Sequence, residues 1–284
     1  MYQPPPIPYI NKRLPQNGTS LSIMLFLGLN AFFLFYRTPF TRPMAYVFAD
    51  RAGLLFVANL PLLYLLSAKN TPWRSITGRS YEGLNILHRR TGELLCSFAV
   101  LHFAGMLVVW YDLLRPLGFT VWQLFSIKYV LFGLFAFVSY EVLYLTSLSS
   151  FRQRAYELFL ASHIVLQIAG LTFLWLHYWN CRPYVGIALG IFLIDRIVFR
   201  AFLKRRSVLA DLTILEDGAT VLVSAASSPL PPTAPWYTRL WKQDINYGWS
   251  PSEHIYISLP AIAPVHFLQA VSYTHLTLPT KRIV

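Results

Sequence analysis

Six long apolar runs decide what this chain can fold into. A helix that crosses the hydrocarbon core of a bilayer needs about 20 mostly apolar residues. The runs lie near residues 20–36, 52–68, 83–110, 121–148, 155–179 and 184–202. With 55% apolar and only 13% charged residues among 284, the composition excludes an ordinary water-soluble globule. The sequence therefore predicts an all-α polytopic membrane bundle of six transmembrane helices.

The positive side chains predict how this bundle is oriented. The net charge of +12 does not indicate nucleic-acid binding, because no basic stripe with stacking aromatics is present. Lys and Arg instead gather in the loops between the runs, where membrane lipid is the expected partner. One set of alternate loops holds ten of them and the other set five. Because the richer side faces the cytosol, both termini are predicted to be cytosolic, in a multi-pass protein of the plasma membrane or of an internal membrane.

Four histidines carry the chemistry that the sequence suggests. His88 and His102 lie on the third run, and His163 and His177 lie on the fifth run. Each pair is separated by 14 residues, which is about four helical turns and about 21 Å of rise. Each pair thus shares one helix face, with its members near opposite sides of the membrane. Two such helices would hold two haems b, because haem iron accepts an imidazole on each of its faces.

Orientation then assigns the four ligands. His88 and His163 are expected to hold the inner haem, and His102 and His177 the outer haem. Two Arg residues near the inner histidines, Arg89 and Arg152, could pair with haem propionates, since the guanidinium fork matches a carboxylate. An equally simple interpretation is that they are ordinary positive residues of the cytosolic side.

The histidines also have two simpler interpretations. A single intramembrane His is more often hydrogen-bonded to a neighbouring helix than bound to a metal. Two pairs with identical spacing on separate runs are difficult to account for in that way. Zinc would need a tetrahedral cluster of closely spaced His, Cys or carboxylate ligands, which these runs do not offer. Haem iron is therefore the metal that we expect.

Four segments resemble the fungal ferric/cupric reductases, which are relatives of the NADPH oxidases. They are residues 58–63 (ANLPLL), 80–90 (SYEGLNILHRR), 152–163 (RQRAYELFLASH) and 249–260 (WSPSEHIYISLP). In the last segment Ser252 stands where the family usually has Gly. The resemblance covers roughly residues 50 to 269 and implies a haem domain followed by a cytosolic FAD-binding barrel and an NADPH-binding domain. Strand-like stretches at 208–215, 220–224 and 254–259 agree with the start of such a barrel.

The end of the chain departs from this family. The flavin motif His-Pro-Phe-Thr is expected near residue 270 and does not occur there. Residues 271–280 (VSYTHLTLPT) instead back-translate, with permitted codons, into a transposon-type sequencing adaptor. We therefore expect an N-terminal tail at 1–19, a transmembrane haem domain at 20–203, an incomplete FAD-binding domain at 204–269 and adaptor read-through at 270–284.

The resemblance implies a ferric-chelate reductase that passes electrons from NADPH through FAD and two haems to extracytosolic Fe(III), with Cu(II) as another acceptor. Three alternatives stay open from the sequence: an NADPH oxidase that reduces dioxygen, a haem-only cytochrome served by a partner reductase, and a structural membrane protein. The sequence identifies no iron permease or oxidase partner, and it leaves metal preference and oligomeric state undecided.

Overall fold

The described part of the chain is mainly helical. A computed structural model describes residues 17–39, 41–68, 81–202, 209–214, 221–225, 255–257 and 271–273. Within these ranges the α-helices are α1 (Asn17–Phe35), α2 (Ala45–Ser67), α3 (Tyr81–Val109), α4 (Val121–Ser126), α5 (Lys128–Thr146), α6 (Ser149–Arg154), α7 (Tyr156–His177) and α8 (Arg182–Phe202). Short 3-10 turns lie at Arg42–Met44, Arg115–Leu117 and Trp179–Cys181, and one π turn lies at Trp110–Leu114.

Five helical segments are long and apolar enough to cross a membrane. They are Asn17–Phe35, Ala45–Ser67, Gly83–Leu117, Lys128–Thr146 and Tyr156–His177. Their outward side chains are apolar: Met24 is 70% exposed and Leu25 is 66% exposed. A helix that presents large apolar side chains outward is suited to hydrocarbon rather than to water. The prediction of a helical, multi-pass membrane bundle is confirmed at this level.

The sixth predicted span differs from the other five. Helix α8 has 21 residues, which is long enough for a bilayer. However, Asp195 and Arg196 lie in its second half, and α8 is not among the five apolar segments. Charged side chains in a spanning segment are costly unless they are paired or line a cavity. A sixth span therefore remains a prediction.

The fourth apolar run is interrupted, although a single continuous span was expected from 121 to 148. Thr120 caps α4 through a capping box with Gln123, whose backbone N–H donates to the Thr120 hydroxyl. Ile127 then adopts an extended conformation (φ −70°, ψ 122°), and α5 begins at Lys128. The break separates a short helix of six residues from the 19-residue helix that is long enough to span.

The third run extends further than its α-helix. The π turn at Trp110–Leu114 and the 3-10 turn at Arg115–Leu117 follow α3 directly. The chain then reverses at Gly118, whose φ of 86° lies in the left-handed region that residues with a Cβ rarely adopt. The Trp110 side chain ties the turn together, because its Nε1 donates to the Phe119 carbonyl at 3.1 Å.

Small residues let the central helices approach closely. A Cβ added at Gly105 of α3 would lie 2.6 Å from the Ala49 Cβ of α2. A Cβ added at Gly170 of α7 would lie 2.8 Å from the Tyr140 ring of α5. Such contacts are typical of membrane helices, where van der Waals packing replaces the hydrophobic effect. The fully buried Leu60 belongs to the core that these helices enclose.

Polar side chains hold α1 against α2. The Asn59 amide donates to the Asn30 side-chain oxygen at 2.6 Å, and each amide also donates to a carbonyl of its own helix. Near the end of α1, Arg51 donates to the carbonyls of Phe33 and Tyr36. The last carbonyls of a helix lack partners within the helix, so the cation of Arg51 stabilises this terminus.

Two antiparallel strand pairs lie after the helices. Strand β1 (Ala210–Ile214) pairs with β2 (Val221–Ala225), with Ala210 opposite Ala225. Strand β3 (Ile255–Ile257) pairs with β4 (Val271–Tyr273). The three expected strands are thus present, with bounds that differ by one or two residues from the predicted ones. The rest of the expected barrel falls on residues that are not described.

The predicted domain boundaries remain predictions. The chain divides into two compact units, residues 1–68 with 83–193 and residues 69–82 with 194–284. Residues 1–16 of the predicted N-terminal tail lie outside the described residues, as does the sequence after Tyr273, whereas residues 17–19 belong to α1. The assignment of 270–284 to an adaptor is likewise still a prediction.

The contact at Gly105 yields a test of the packing. We expect Gly105→Ala to lower the stability by about 1–3 kcal/mol, because the added methyl group meets Ala49 and neither backbone has room to yield. Gly28→Ala is the matched control, since no atom lies within 4 Å of the added Cβ. Thermal unfolding in detergent, followed by circular dichroism, measures both. Equal melting temperatures for the two variants would contradict the packing described here.

Candidate haem-binding site

His102 and His177 are brought together at one end of the bundle. Their ring centroids lie 6.4 Å apart and the ring planes make an angle of 76°. The Nδ1 of His102 lies 2.8 Å from the Ala49 carbonyl oxygen of α2. The Nδ1 of His177 lies 2.7 Å from the Tyr129 carbonyl oxygen of α5. Each imidazole is thus fixed by the backbone of a different neighbouring helix.

A glycine makes each of these two contacts possible. In an α-helix, the side chain of residue i+4 lies over the turn that contains residue i. The residue four positions after Ala49 is Gly53, and the residue four positions after Tyr129 is Gly133. A Cβ at Gly53 would lie 2.8 Å from the His102 Nδ1, and one at Gly133 would lie 2.7 Å from the His177 Nδ1. Both glycines therefore leave a carbonyl open to an imidazole.

His88 and His163 lie toward the other end of the same helices. The Nδ1 of His88 lies 2.9 Å from the Leu63 carbonyl oxygen of α2. The Nδ1 of His163 lies 3.1 Å from the Ser147 hydroxyl oxygen. The two rings are close enough to interact electrostatically. The structure thus arranges the four predicted residues as two couples, which we call the outer couple (His102 and His177) and the inner couple (His88 and His163).

The hydrogen bonds decide which nitrogen of each ring carries the proton. A carbonyl oxygen can only accept, so the Nδ1 atoms of His88, His102 and His177 must donate. The Ser147 hydroxyl donates its own hydrogen to the Leu143 carbonyl at 2.6 Å, so its oxygen accepts from His163. In neutral imidazole the Nε2 atom then has no proton and keeps a lone pair. A metal ligand needs such a nitrogen, and a donor bond at the other nitrogen orients the ring.

The spacing of the outer couple fits two imidazoles on one metal ion. Imidazole nitrogens bind metals at about 2 Å, so two rings on opposite sides of one ion have centres roughly 6 Å apart. The observed 6.4 Å agrees with this value. Within the described ranges, no three His, Cys, Asp or Glu residues gather as a ligand cluster. Paired imidazoles suit haem iron, which can accept an imidazole on each of its two faces, better than zinc, which is tetrahedral.

Two positive residues lie close to each other near the inner couple. The guanidinium groups of Arg89 and Arg152 are close enough to repel one another. Arg152 also lies over the Phe159 ring at 5.9 Å, and that ring is 5.4 Å from the imidazole of His163. The structure therefore brings both predicted Arg residues into one neighbourhood, where an anionic group would relieve their repulsion.

The space midway between the couples is packed with protein side chains. Tyr140 of α5 is 5% exposed, and its ring contacts Gly170, which is equidistant along α7 from His163 and His177. The Phe56 ring of α2 packs edge-on against Tyr140, with centroids 5.0 Å apart. Protein side chains therefore fill the middle of the bundle, and the two couples lie at separate depths.

Sequence reasoning located the four histidines but missed three residues that hold them. Gly53, Gly133 and Ser147 were not singled out, since glycine and serine are common in membrane helices for reasons of packing alone. A glycine within a predicted span was the available signal. This signal identifies a histidine contact only when the partner helix is known.

Cys181 lies in the short turn of the chain between His177, which belongs to the outer couple, and the start of α8. The residue is 8% exposed, and burial, together with the nearby Asp50 carboxylate, raises the pKa of its thiol to about 11. Both Cys181 and Cys96 are free and buried. The thiolate is the nucleophilic form of cysteine, so the folded chain keeps Cys181 unreactive at neutral pH.

Alkylation of Cys181 tests this environment. In a Cys96→Ser variant we expect iodoacetamide to react roughly a hundredfold more slowly at pH 8 than with the denatured chain, whose cysteine has a pKa near 8.5. The rate should rise about tenfold per pH unit until pH 11 is approached. Mass spectrometry of quenched samples gives both rates. Equal rates for the folded and denatured chain at pH 8 would refute the burial.

The comparison with known proteins finds a protein family that matches the same region. Residues 52–174 match the family described as "Ferric reductase like transmembrane component". The chain is 25% identical over 241 residues to "Ferric reductase transmembrane component 1" of Schizosaccharomyces pombe, which covers 83% of this chain and 38% of that protein. It is 27% identical over 198 residues to "Ferric reductase transmembrane component 4" of Saccharomyces cerevisiae, covering 65% of this chain and 27% of that protein.

A third relative extends the comparison to a filamentous fungus. The chain is 26% identical over 223 residues to "Probable cell surface ferric reductase kap2" of Aspergillus oryzae, covering 76% of this chain and 28% of that protein. The chain thus spans less than two fifths of the length of these three relatives. The matched residues 52–174 contain three of the four histidines and end just before His177. By these matches, the membrane part of the chain is similar to the fungal ferric reductases.

Proposed function

We propose that this chain is the haem-carrying membrane part of a ferric-chelate reductase, which transfers electrons across a membrane to Fe(III). The observation that carries the proposal is the pair of histidine couples whose Nδ1 atoms all donate hydrogen bonds and whose Nε2 atoms are left to bind a metal. The names of the three relatives each include ferric reductase. A further relative from S. cerevisiae is named a ferric/cupric reductase, which supports Cu(II) as a second acceptor.

The residues present fit two haems b, one in each couple. When bound, haem supplies an iron centre that gains and loses one electron at a time. The chain would contribute the imidazole ligands: His88 and His163 for the inner site, and His102 and His177 for the outer site. Backbone carbonyls and the Ser147 hydroxyl orient these rings, so the ligands are arranged before the group binds.

The paired guanidinium groups of Arg89 and Arg152 are proposed to hold the carboxylates of the inner haem. Two cations in one neighbourhood destabilise each other, and a dianionic edge placed between them would remove that cost. Arg forks bind carboxylates through two parallel hydrogen bonds. The Phe159 ring, which lies against both Arg152 and His163, keeps this cationic region next to the inner ligand.

The rest of the protein is proposed to supply the electrons. Helix α8 would be the sixth span, and the β1–β2 hairpin would begin a cytosolic FAD-binding barrel. NADPH would bind to a domain beyond the sequence described here, as the resemblance to the family implies. Both termini would face the cytosol of a plasma-membrane protein. The inner couple would then lie on the side from which electrons enter.

Haem stoichiometry tests the proposal. The purified chain should contain two haems b. His102→Ala and His177→Ala should each retain one haem, and the absorption spectra of these two variants should be the same. His88→Ala and His163→Ala should retain the other haem. His254→Ala, which changes a histidine outside the couples, is the control and should retain both. The pyridine haemochrome assay gives the count, and a redox titration distinguishes the two haems.

Loss of both haems in every variant, including the control, would show only that the fold is fragile. Retention of two haems in His102→Ala or His163→Ala would contradict the ligand assignment. The function itself is tested in the same preparation: the dithionite-reduced chain should be reoxidised by Fe(III) citrate without air. Reoxidation by dioxygen alone would favour the alternative of an oxidase.

The glycines give a test that leaves every ligand in place. A methyl group at Gly133 would lie 2.6 Å from the His177 Cε1 atom, so we expect Gly133→Ala to displace the imidazole and lose the outer haem. Gly190→Ala is the matched control, because no atom lies within 4 Å of its added Cβ. Haem content and the low-spin absorption band measure the result. Two low-spin haems in Gly133→Ala would show that the outer site does not depend on this contact.

A further inference from the structure

We infer that the groove between α7 and α8 is a binding site for one anionic phospholipid, whose acyl chain lies in the groove and whose phosphate contacts Arg182. None of the four histidines of the couples lines this groove. The site is therefore independent of the proposed function, and it is formed by residues 167–192, which belong to one compact unit of the chain.

The groove is apolar and is formed by one face of each helix. Its volume is about 270 Å³. The lining residues of each helix recur every three or four positions, as Val185, Leu189 and Phe192 do on α8, and such residues share one helix face. Leu171 and Val185 are buried at its floor, whereas Trp175 and Leu189 are exposed. This lining suits a hydrocarbon chain.

The length of the groove matches one leaflet of a bilayer. On α7 the lining residues run from Gln167 to Leu176, which corresponds to about 13.5 Å of helical rise. Half of a hydrocarbon core of about 30 Å is about 15 Å. Gln167 lies midway along α7, which ends at His177, so the groove extends from near mid-depth toward the outer couple. One acyl chain of a lipid in that leaflet has the same reach.

The two polar residues of the lining are compatible with an acyl chain. The Thr172 hydroxyl donates to the Ile168 carbonyl at 2.9 Å, so its hydrogen is used within the helix. Gln167 is the lining residue of α7 that lies furthest from His177, so it marks the deep end. A chain that enters from the side of His177 therefore meets apolar walls until it reaches Gln167.

A fixed cation lies at the shallow end of the groove. The Arg182 Nε donates to the Trp175 carbonyl at 3.3 Å, and its guanidinium carbon lies 5.7 Å from the centre of the Trp175 ring. Within the described ranges Arg182 forms no salt bridge, although the Asp50 carboxylate lies near the adjacent Cys181. The terminal N–H groups of Arg182 thus stay available to a phosphate oxygen, which a guanidinium fork binds well.

Aromatic side chains indicate that Arg182 lies at the level of the lipid headgroups. Tyr178, Trp179 and Tyr184 flank it in the chain and are all exposed. Trp and Tyr are enriched where the hydrocarbon of a membrane meets water. A phosphate bound to Arg182 would therefore lie where a phospholipid has its phosphate.

Other occupants fit this groove less well. An α-helix with its side chains is about 10–12 Å wide, so a groove of about 270 Å³ has no room for one. A sterol is apolar but has no anionic group for Arg182, and a phosphate ion would leave the apolar walls uncovered. A phospholipid satisfies both parts of the site. An anionic headgroup is favoured over phosphatidylcholine, because choline brings its own cation to the phosphate.

Photolabelling tests the site without any measurement of electron transfer. The purified chain in mild detergent receives a trace of phosphatidylglycerol whose acyl chain carries a diazirine near the headgroup, or the matching phosphatidylcholine probe. Light attaches the probe to the side chains that it contacts, and mass spectrometry of the peptides identifies them. The exposed Met24 and Leu25 of α1 report ordinary lipid contact. Phosphatidylglycerol should label the groove about three- to tenfold more than this reference face, and phosphatidylcholine should show less preference.

The headgroup contact is tested by removing the cation. We expect Arg182→Gln to lower groove labelling by phosphatidylglycerol about three- to tenfold, because the phosphate loses its cation, and Arg182→Lys to restore most of it. Arg115→Gln is the matched control. Its guanidinium carbon also lies near an aromatic ring, 4.8 Å from the centre of Tyr111, but the residue does not line the groove. This variant should leave the labelling unchanged.

The acyl-chain contact is tested by filling the groove. Leu189→Trp adds bulk to a lining residue and should remove most of the groove labelling. Ile187→Trp is the matched control, because Ile187 is also an exposed apolar residue of α8 but does not line the groove. Circular dichroism shows whether each variant has kept its helices.

Three results would overturn the inference. The groove could be labelled no more than the reference face of α1, Arg182→Gln could be labelled as strongly as the unchanged chain, or the two probes could label the groove equally. Displacement of the phosphatidylglycerol probe by unlabelled cholesterol, but not by unlabelled phosphatidylglycerol, would also overturn it and assign the groove to a sterol. The comparison of the two probes uses the unchanged chain, so a variant that fails to fold does not decide the result.

Discussion

The hydrogen bond from an imidazole Nδ1 to a backbone carbonyl of a neighbouring helix is the interaction on which the site depends. In hydrocarbon a polar group without a partner costs several kcal/mol, and no water is present to replace it. An intramembrane histidine must therefore find an acceptor. His102 and His177 find one at Ala49 and Tyr129 only because Gly53 and Gly133 expose those carbonyls. The rings are thus held by backbone, which cannot rotate away as a side chain can.

This interaction also ties the helices that carry the histidines to their neighbours. His102 joins α3 to α2, and His177 joins α7 to α5, so each contact both orients an imidazole and packs two helices together. Close approach at Gly105 and Gly170 brings the same helix pairs together a short distance away. Since interhelical packing is the main force between membrane helices, the glycines that permit the packing also set where the imidazoles can stand.

The sequence predicted which histidines form this site better than it predicted the contacts that hold them. A spacing of 14 residues places both histidines of a helix on one face, whatever the surroundings, so the sequence could predict which histidines lie near each other. That they are haem ligands remains a prediction. Helix interruptions depend on local capping that an apolar run conceals, and so the break at Ile127 was missed. The glycine contacts could not be foreseen, because they join residues that lie 49 positions apart (Gly53 and His102) and 44 positions apart (Gly133 and His177). Helix α8 is long enough to cross a membrane, but charged residues lie in its second half. Its length alone therefore could not predict whether it is a span like the other five.

The two couples differ in the group that accepts each Nδ1 proton. Both rings of the outer couple donate to carbonyls, whereas in the inner couple His88 donates to a carbonyl and His163 donates to the Ser147 hydroxyl. A carbonyl is the stronger acceptor, and a stronger acceptor at Nδ1 makes Nε2 a better donor to a metal. The inner couple is therefore the less symmetrical of the two, and it is also the one beside the Arg89 and Arg152 cations. One repeated histidine spacing thus produces two couples with different electrostatic surroundings.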